Sequence, residues 1–388
     1  MRNFLLCCAL ILPAAAQDKD ARKWTIQYFY DELRSEMEIT DLAFPSAQRG
    51  IAIGAIYDKS SGRERDISLS TSDGGVHWTL QTIKEYPRSI FFLNDSVGWM
   101  VTDKGVWFTD ESGRNWKRLC EQLKPDKTLE PQTTIGLLLR VWFLDEKHGF
   151  GIGLQKTIVE TVDGGRTWNP VAAASKPAGN PAYTAYTHIV FADAKRGVIV
   201  GGSQPPRHED GFRHSLPDWM DPEQASKRKQ VPTLTLIAQT RDGGATWVAE
   251  TVPLFGLVTS VRYAGPDGLI VMGFNESFQW PSEVHRMAAE GIDRVFREKT
   301  PRVIDSALYP GPHVYLAGVE PTGKMNSAAI PGKVRILESE DFQTWTDMPV
   351  DYKAVARSVI MAGPDRDHLW VATDTGMILH LGVFPKPE

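Results

Sequence analysis

The chain has 388 residues, a formal net charge of -5, and an ordinary globular composition of 42% hydrophobic and 23% charged residues. That length can bury a large core in one all-β domain or in two smaller domains. The acidic balance argues against nucleic acid or an anionic membrane as the main partner, since both require a basic surface.

Residues 1–16 read as a secretory signal. Arg2 supplies a positive start, residues 4–12 are apolar, and Ala14-Ala15-Ala16 before Gln17 fits a small-residue cleavage site. The apolar run is too short to span a bilayer, and no later stretch is long enough. Cys7 and Cys8 leave with this segment, so the mature chain, residues 17–388, keeps Cys120 alone. One cysteine makes no internal disulfide, and the fold must hold by packing. The expected location is secreted or periplasmic.

Downstream, one short motif recurs. It reads T-S-D-G-G-V-H-W at 71–78, T-D-E-S-G-R-N-W at 109–116, T-V-D-G-G-R-T-W at 161–168 and T-R-D-G-G-A-T-W at 240–247. A shortened copy, S-E-D-F-Q-T-W, occupies 339–345. Around each copy lie four short apolar strands joined by Gly/Asp turns, such as Ile90-Phe91-Phe92, Gly98-Trp99-Met100-Val101, Gly105-Val106-Trp107-Phe108 and Trp116-Lys117-Arg118-Leu119. A meander repeated at this period predicts a β-propeller.

The motif's residues have structural work in a hairpin between third and fourth strands. The acids Asp73, Glu111, Asp163, Asp242 and Asp341 accept hydrogen bonds from backbone N–H groups of their own turns. Gly75, Gly113, Gly165 and Gly244 supply positive φ. Trp78, Trp116, Trp168, Trp247 and Trp345 pack between sheets. Glu111, with its longer arm, is expected to hold its turn less well than Asp.

Counting units predicts seven four-stranded antiparallel blades in a single domain. The last unit, 359–381, stops before its fourth strand. Trp24-Thr25-Ile26-Gln27-Tyr28 resembles the strand after each motif, such as Trp78-Thr79-Leu80-Gln81. The N-terminal strand is therefore expected to complete the last blade and close the ring. Two insertions interrupt the pattern. One, near 203–233, carries Phe212 and Trp219, which could anchor a partner or a glycan. The other, near 274–302, carries a charged, helix-like run at 283–299. Lys227-Arg228-Lys229, in the first, reads as a solvated loop.

The motif resembles the Asp-box, or bacterial neuraminidase repeat. The fuller unit, F-x-D-x-x-x-G-x-x-x-G before T-x-D-G-G-x-T-W, looks most like propellers of the photosystem II assembly-factor type, over nearly the whole mature chain. Sialidase and xyloglucanase propellers share the box more distantly. The resemblance implies the fold; activity on this scaffold is set by loops and pore residues. A sialidase would need an early Arg-Ile-Pro signature, and Arg49 is followed instead by Gly50 and Ile51. Xyloglucanases usually pair two propellers, and this chain has room for one.

Aligning the inner strands places Asp41, Ser89, Arg140, His188, Ser260, Ser306 and Ser358 at one level of the central channel. Asp41, Arg140 and His188 are the candidate binding residues there. The sequence therefore reads as an exported, monomeric, non-catalytic propeller that binds another protein or a glycan, with no cofactor and no metal. The alternative is a glycoside hydrolase with an atypical active site.

Overall fold

The computed structural model describes residues 21–129, 136–204, 233–264, 267–274, 280–308, 311, 313–321, 324–325 and 328–384. Among the described residues the strands form seven antiparallel sheets arranged as blades, and Lys324–Met325 pairs with Ala328–Ala329 in a separate two-stranded ribbon. Blade one is built from Ser35–Ala43, Gly50–Asp58, Arg63–Thr71 and Thr79–Thr82. Blade two follows with Pro87–Phe92, Gly98–Thr102, Gly105–Thr109 and Lys117–Glu121. Blade three has Leu138–Phe143, Gly149–Gly153, Thr157–Thr161 and a short outer Asn169–Pro170. Blade four has Thr184–Phe191, Gly197–Ser203, Leu234–Thr240 and Val248–Phe255.

Blade five comprises Leu257–Ala264, Asp267–Gly273, Ser282–Ala288 and Gly291–Arg297. Blade six comprises Val303–Leu308, Val314–Glu320, Gly332–Ser339 and Thr346–Asp347, with Val355–Ala356 as a fifth strand on the third. In blade seven, Val359–Asp365, His368–Thr373 and Met377–Phe384 are completed by Ala21–Phe29, which pairs with the last strand. The N-terminal strand thus closes the ring as its sequence similarity predicts. The seven-bladed, all-β fold is as read from the repeats. No described helix is long and apolar enough to cross a membrane.

The core consists of seven apolar slabs, one at each blade–blade interface. Middle strands are buried on both faces, which is why Gly50–Asp58 and Gly149–Gly153 are near-continuous buried runs. Burying both faces of each sheet supplies the area that replaces disulfides, at roughly 25 cal/mol per Å² of apolar surface.

The motif turns show the expected bonding. Thr71 Oγ1 accepts from Gly75 N at 2.9 Å, and Asp73 Oδ1 accepts from His77 N at 2.9 Å. Asp163 and Asp242 accept in the same way from Thr167 N and Thr246 N, each at 2.9 Å. In the shortened copy Asp341 accepts from Thr344 N at 2.7 Å. Backbone donation, chiefly from His77, holds the Asp73 carboxyl down at about 2. Glu111 instead takes the Asn115 side-chain amide at 2.7 Å. Trp116, Trp168 and Trp247 stand edge-on to the phenylalanine ending an inner strand, as Trp116 to Phe92 at 6.1 Å and Trp168 to Phe143 at 6.2 Å, whereas Trp345 meets Phe296 of blade five's fourth strand.

One expectation fails. The charged run at 283–299 is not helical; it is the third and fourth strands of blade five. Charges that read as helical i, i+3 and i, i+4 neighbours are cross-strand partners: Glu283 opposes Arg297, His285 opposes Arg294 and Arg286 opposes Asp293. Cross-strand pairing satisfies the same charges that a helix face would. The other insertion falls between the second and third strands of blade four. Phe212 and Trp219, like residues 1–16, lie outside the described residues.

Candidate functional site in the central channel

Inner strands of successive blades touch in chain order, and blade seven's touches blade one's. Six of these strands carry a β-bulge at the same aligned level, at Ile39/Asp41, Pro87/Ser89, Leu138/Arg140, Tyr186/His188, Val258/Ser260 and Ile304/Ser306. A bulge re-aims the side chain after it. The six residues just past the bulge are six of the seven polar positions picked out by aligning the sequence. A close approach accompanies the bulge: a Cβ on Gly54 would meet the Glu38 carbonyl oxygen at 1.9 Å, and one on Gly153 would meet that of Leu137 at 1.7 Å.

These side chains lace blades together. Asp41 accepts from Ile90 N of blade two at 3.1 Å and from Arg140 of blade three at 3.0 Å. Ser89 donates to Leu139 O at 2.8 Å, Ser260 accepts from Ala307 N at 3.5 Å, and Ser306 accepts from Met361 N at 3.1 Å. Ser358, in blade seven, is exposed.

His188 bridges blades four and five. Its Nε2 lies 3.1 Å from Thr259 O, and its Nδ1 lies 2.9 Å from Thr187 Oγ1. The carbonyl can only accept, so Nε2 carries the proton and Nδ1 accepts from the hydroxyl. Burial, then the nearby Arg140 and Arg262 charges, push its pKa down to about 3. At neutral pH His188 is an uncharged strut.

Arg262, which the sequence alignment missed, completes the cluster. It donates to Val261 O at 2.9 Å and, across blade six, to Met361 O at 3.4 Å. Burial and Arg140 lower its pKa to about 10, against the pull of Asp41, so it stays charged at neutral pH. Two guanidiniums, one carboxylate and a neutral imidazole leave surplus positive charge in the channel. A charge in the middle of the inner-strand segment Val261-Arg262-Tyr263 was the available signal. Beside the cluster's level, Asp305 accepts from Val359 N at 3.2 Å. Burial, with Asp374 nearby, lifts the Asp305 pKa to about 7. Asp374 is gripped by the Arg357 side chain at 2.7 Å.

Arg140 and Arg262 can receive an anionic group; their fork-like donors match a carboxylate. Among the described residues there is no group of three or more His, Cys, Asp or Glu arranged to hold a metal.

Residues 122–206 match the family model for the photosynthesis system II assembly factor YCF48. The structure of YCF48 bound to D1 peptide is similar at 16% identity, with 91% of this chain and 98% of that chain covered and a TM-score of 0.54. The chain is a seven-bladed β-propeller, similar in fold to the photosystem II assembly-factor propellers. YCF48 from Cyanidioschyzon merolae matches at 14% identity, over 92% of this chain and 98% of that one, with a TM-score of 0.55. Likeness at these identities establishes a shared fold. The GH74 xyloglucanase from Xanthomonas campestris is also similar, at 14% identity over 87% of this chain and 66% of that one, with a TM-score of 0.37. No curated protein sequence matches the chain.

Proposed function

We propose that this propeller is an exported binding module that assists assembly by holding another protein, and that its channel takes a carboxylate of that partner. The observation that carries the reading is two guanidiniums, Arg140 and Arg262, sharing one carboxylate, Asp41, in a channel where His188 is neutral. A C-terminal carboxylate or an acidic side chain is the group such a pair recognises. Support comes from the similar YCF48 structure, which holds a D1 peptide. The partner here is defined by its chemistry alone, and no photosynthetic role is carried over.

The test is titration of the mature protein with peptides ending in a free carboxylate and with their amidated forms. Free-acid peptides should bind at least tenfold more tightly, and Arg140→Gln with Arg262→Gln should remove the difference. Equal binding of both forms would overturn the channel reading; capture of polysaccharides in place of peptides would move the module to glycans. Export rests on Arg2, the apolar run and Ala14-Ala15-Ala16. A mature protein beginning at Gln17 by mass spectrometry, in an extracytoplasmic fraction, is the expected outcome. Size-exclusion chromatography with light scattering should return a monomer.

A further inference from the structure

Blade one outgrows its neighbour. Its second and third strands are 9 residues each, and those of blade two are 5 each. Both hairpins begin level, with Gly50 opposite Thr71 and Gly98 opposite Thr109. Blade one therefore projects past blade two by a few residues of strand, roughly 13 Å.

The projecting sheet is covered on one face and, beyond the buried Ala55, bare on the other. Ile51 and Ile53 pack on Ile90 and Met100 of blade two. By alternation Ala55 and Tyr57 share that face, beyond the reach of blade two's strands. Beside Ala55 stand Glu38 and Asp66; beside Tyr57 stand Glu36 and Glu64. On the opposite face, Met37 and Ile56 pack with Tyr30 in the cluster shared with blade seven. The bare face holds Tyr57 at 48% exposure, and Tyr86 from the loop to blade two at 43%. Tyr86 feels the same acids: after burial, Glu38, Glu64 and Asp66 raise its pKa.

Of the local cations, Arg63 and Arg65 are exposed on the outer strand and by alternation share the face of Ile67, opposite to Glu64 and Asp66. Lys59 pairs with Glu36, Arg88 donates to the Gly136 and Leu138 carbonyls, and Arg357 grips Asp374. Lys104 lies near Asp66. Glu36 and Glu38 form one row and Glu64 and Asp66 another, with Ala55 and Tyr57 on the strand between them. Carboxylates around half-exposed tyrosine rings complement a guanidinium, which bonds the first and stacks on the second. The outer edge is open as well. The fourth strand ends at Thr82, opposite Ile67, and Ile83 N donates to Asp66 O, so residues 63–65 have no outer partner among the described residues.

Size decides the kind of occupant. Three strands by four residues give a face of about 10 by 13 Å, far below the roughly 800 Å² per partner of a stable interface between folded proteins. We infer that this overhang docks a short, extended, basic segment of a partner protein, with Arg or Lys at every second residue and its backbone along residues 63–65, the open stretch of the outer edge. The site is separate from the channel and opposite to it in charge.

The experiment uses the mature protein and a fluorescein-labelled, C-terminally amidated ten-residue peptide of alternating Arg and Thr, which offers the channel no carboxylate, with an amidated Gln/Thr peptide as its counterpart. The Arg peptide should bind, the Gln peptide should not, and Glu38→Gln/Glu64→Gln/Asp66→Asn should weaken binding at least tenfold. Tyr57→Ser should weaken it several-fold. Glu146→Gln/Glu290→Gln, which removes exposed acids at the other ends of the strands, should leave it unchanged, as should Arg140→Gln/Arg262→Gln. Thermal melting confirms that each variant is folded. Undiminished binding by the triple variant, or equal weakening by the Glu146/Glu290 pair, would overturn the proposal. So would concentration-dependent dimerisation lost in the triple variant, which would give the face to a second copy of the chain.

Discussion

Arg140 reaches past blade two to place its guanidinium 3.0 Å from the Asp41 carboxylate of blade one. The same carboxylate accepts Leu42 N at 3.0 Å and Ile90 N at 3.1 Å, so one side chain fastens three blades. The pair is asymmetric in exposure, 33% for the Arg140 side chain and 8% for Asp41. Asp41→Ala strips the acceptor from buried backbone donors and should cost on the order of 2–3 kcal/mol. Arg140→Gln leaves the carboxylate two backbone donors, and the channel hydrates the loss; about 1 kcal/mol is expected. Urea unfolding of both variants checks the order.

Asp305 should make stability fall as pH rises. Its folded pKa, about 7, lies above the ordinary carboxyl value of 3.8. Between those two values the folded chain holds a proton that the unfolded chain has released, so stability declines from about pH 4 to pH 7 and then levels. Asp305→Asn can still accept from Val359 N and carries no charge. It should match the parent near pH 4 and exceed it at pH 8, by an amount on the order of 2 kcal/mol after channel water discounts the full shift. Melting curves at pH 4, 6 and 8 decide this; a constant difference across that range would contradict it.

In blades one, three, four and six the bulge faces a glycine, Gly54, Gly153, Gly201 or Gly318. A methyl group on Gly153 would meet backbone, at 1.7 Å from Leu137 O, with no flexible side chain to give way. Gly153→Ala should cost about 1–3 kcal/mol through overpacking. It should also weaken carboxylate binding at Arg140, which follows Leu138 and Leu139 on the strand that has to shift.

Closure of the ring hangs on Trp24. Its side chain is 0% exposed, its indole lies 3.3 Å from Met348 Sδ, and its backbone bonds Pro349 O and Asp351 N at 2.9 and 2.8 Å. The N-terminal strand thus joins blade six as well as blade seven. Trp24→Ala should lose roughly 3–5 kcal/mol, and limited proteolysis should then attack blade seven first.

Glu111 should accept improvement. Asp73, Asp163 and Asp242 each hold the N–H of the residue four positions on, whereas Glu111 holds only a side-chain amide. Glu111→Asp should restore that backbone bond and raise stability by about 0.5–1 kcal/mol, read as an upward shift in thermal midpoint.

The repeat spacing alone determined the blade count, the motif turns and the closing strand, because each depends on local signals: turn residues, alternating apolar runs and one recurrent tryptophan. It also placed Asp41, Arg140 and His188 at one level, since identical units put equivalent positions on one ring. Only the folded ring decided what those residues do. Asp41 meets Arg140 across an intervening blade, Arg262 enters their field from blade five, and His188 loses its charge, because burial and long-range charge depend on groups far apart in the chain. The strands at 282–288 and 291–297 escape the sequence pattern for the same reason. Their charges have neighbours at helical spacing in the sequence, and the sheet assigns each a partner across the hairpin.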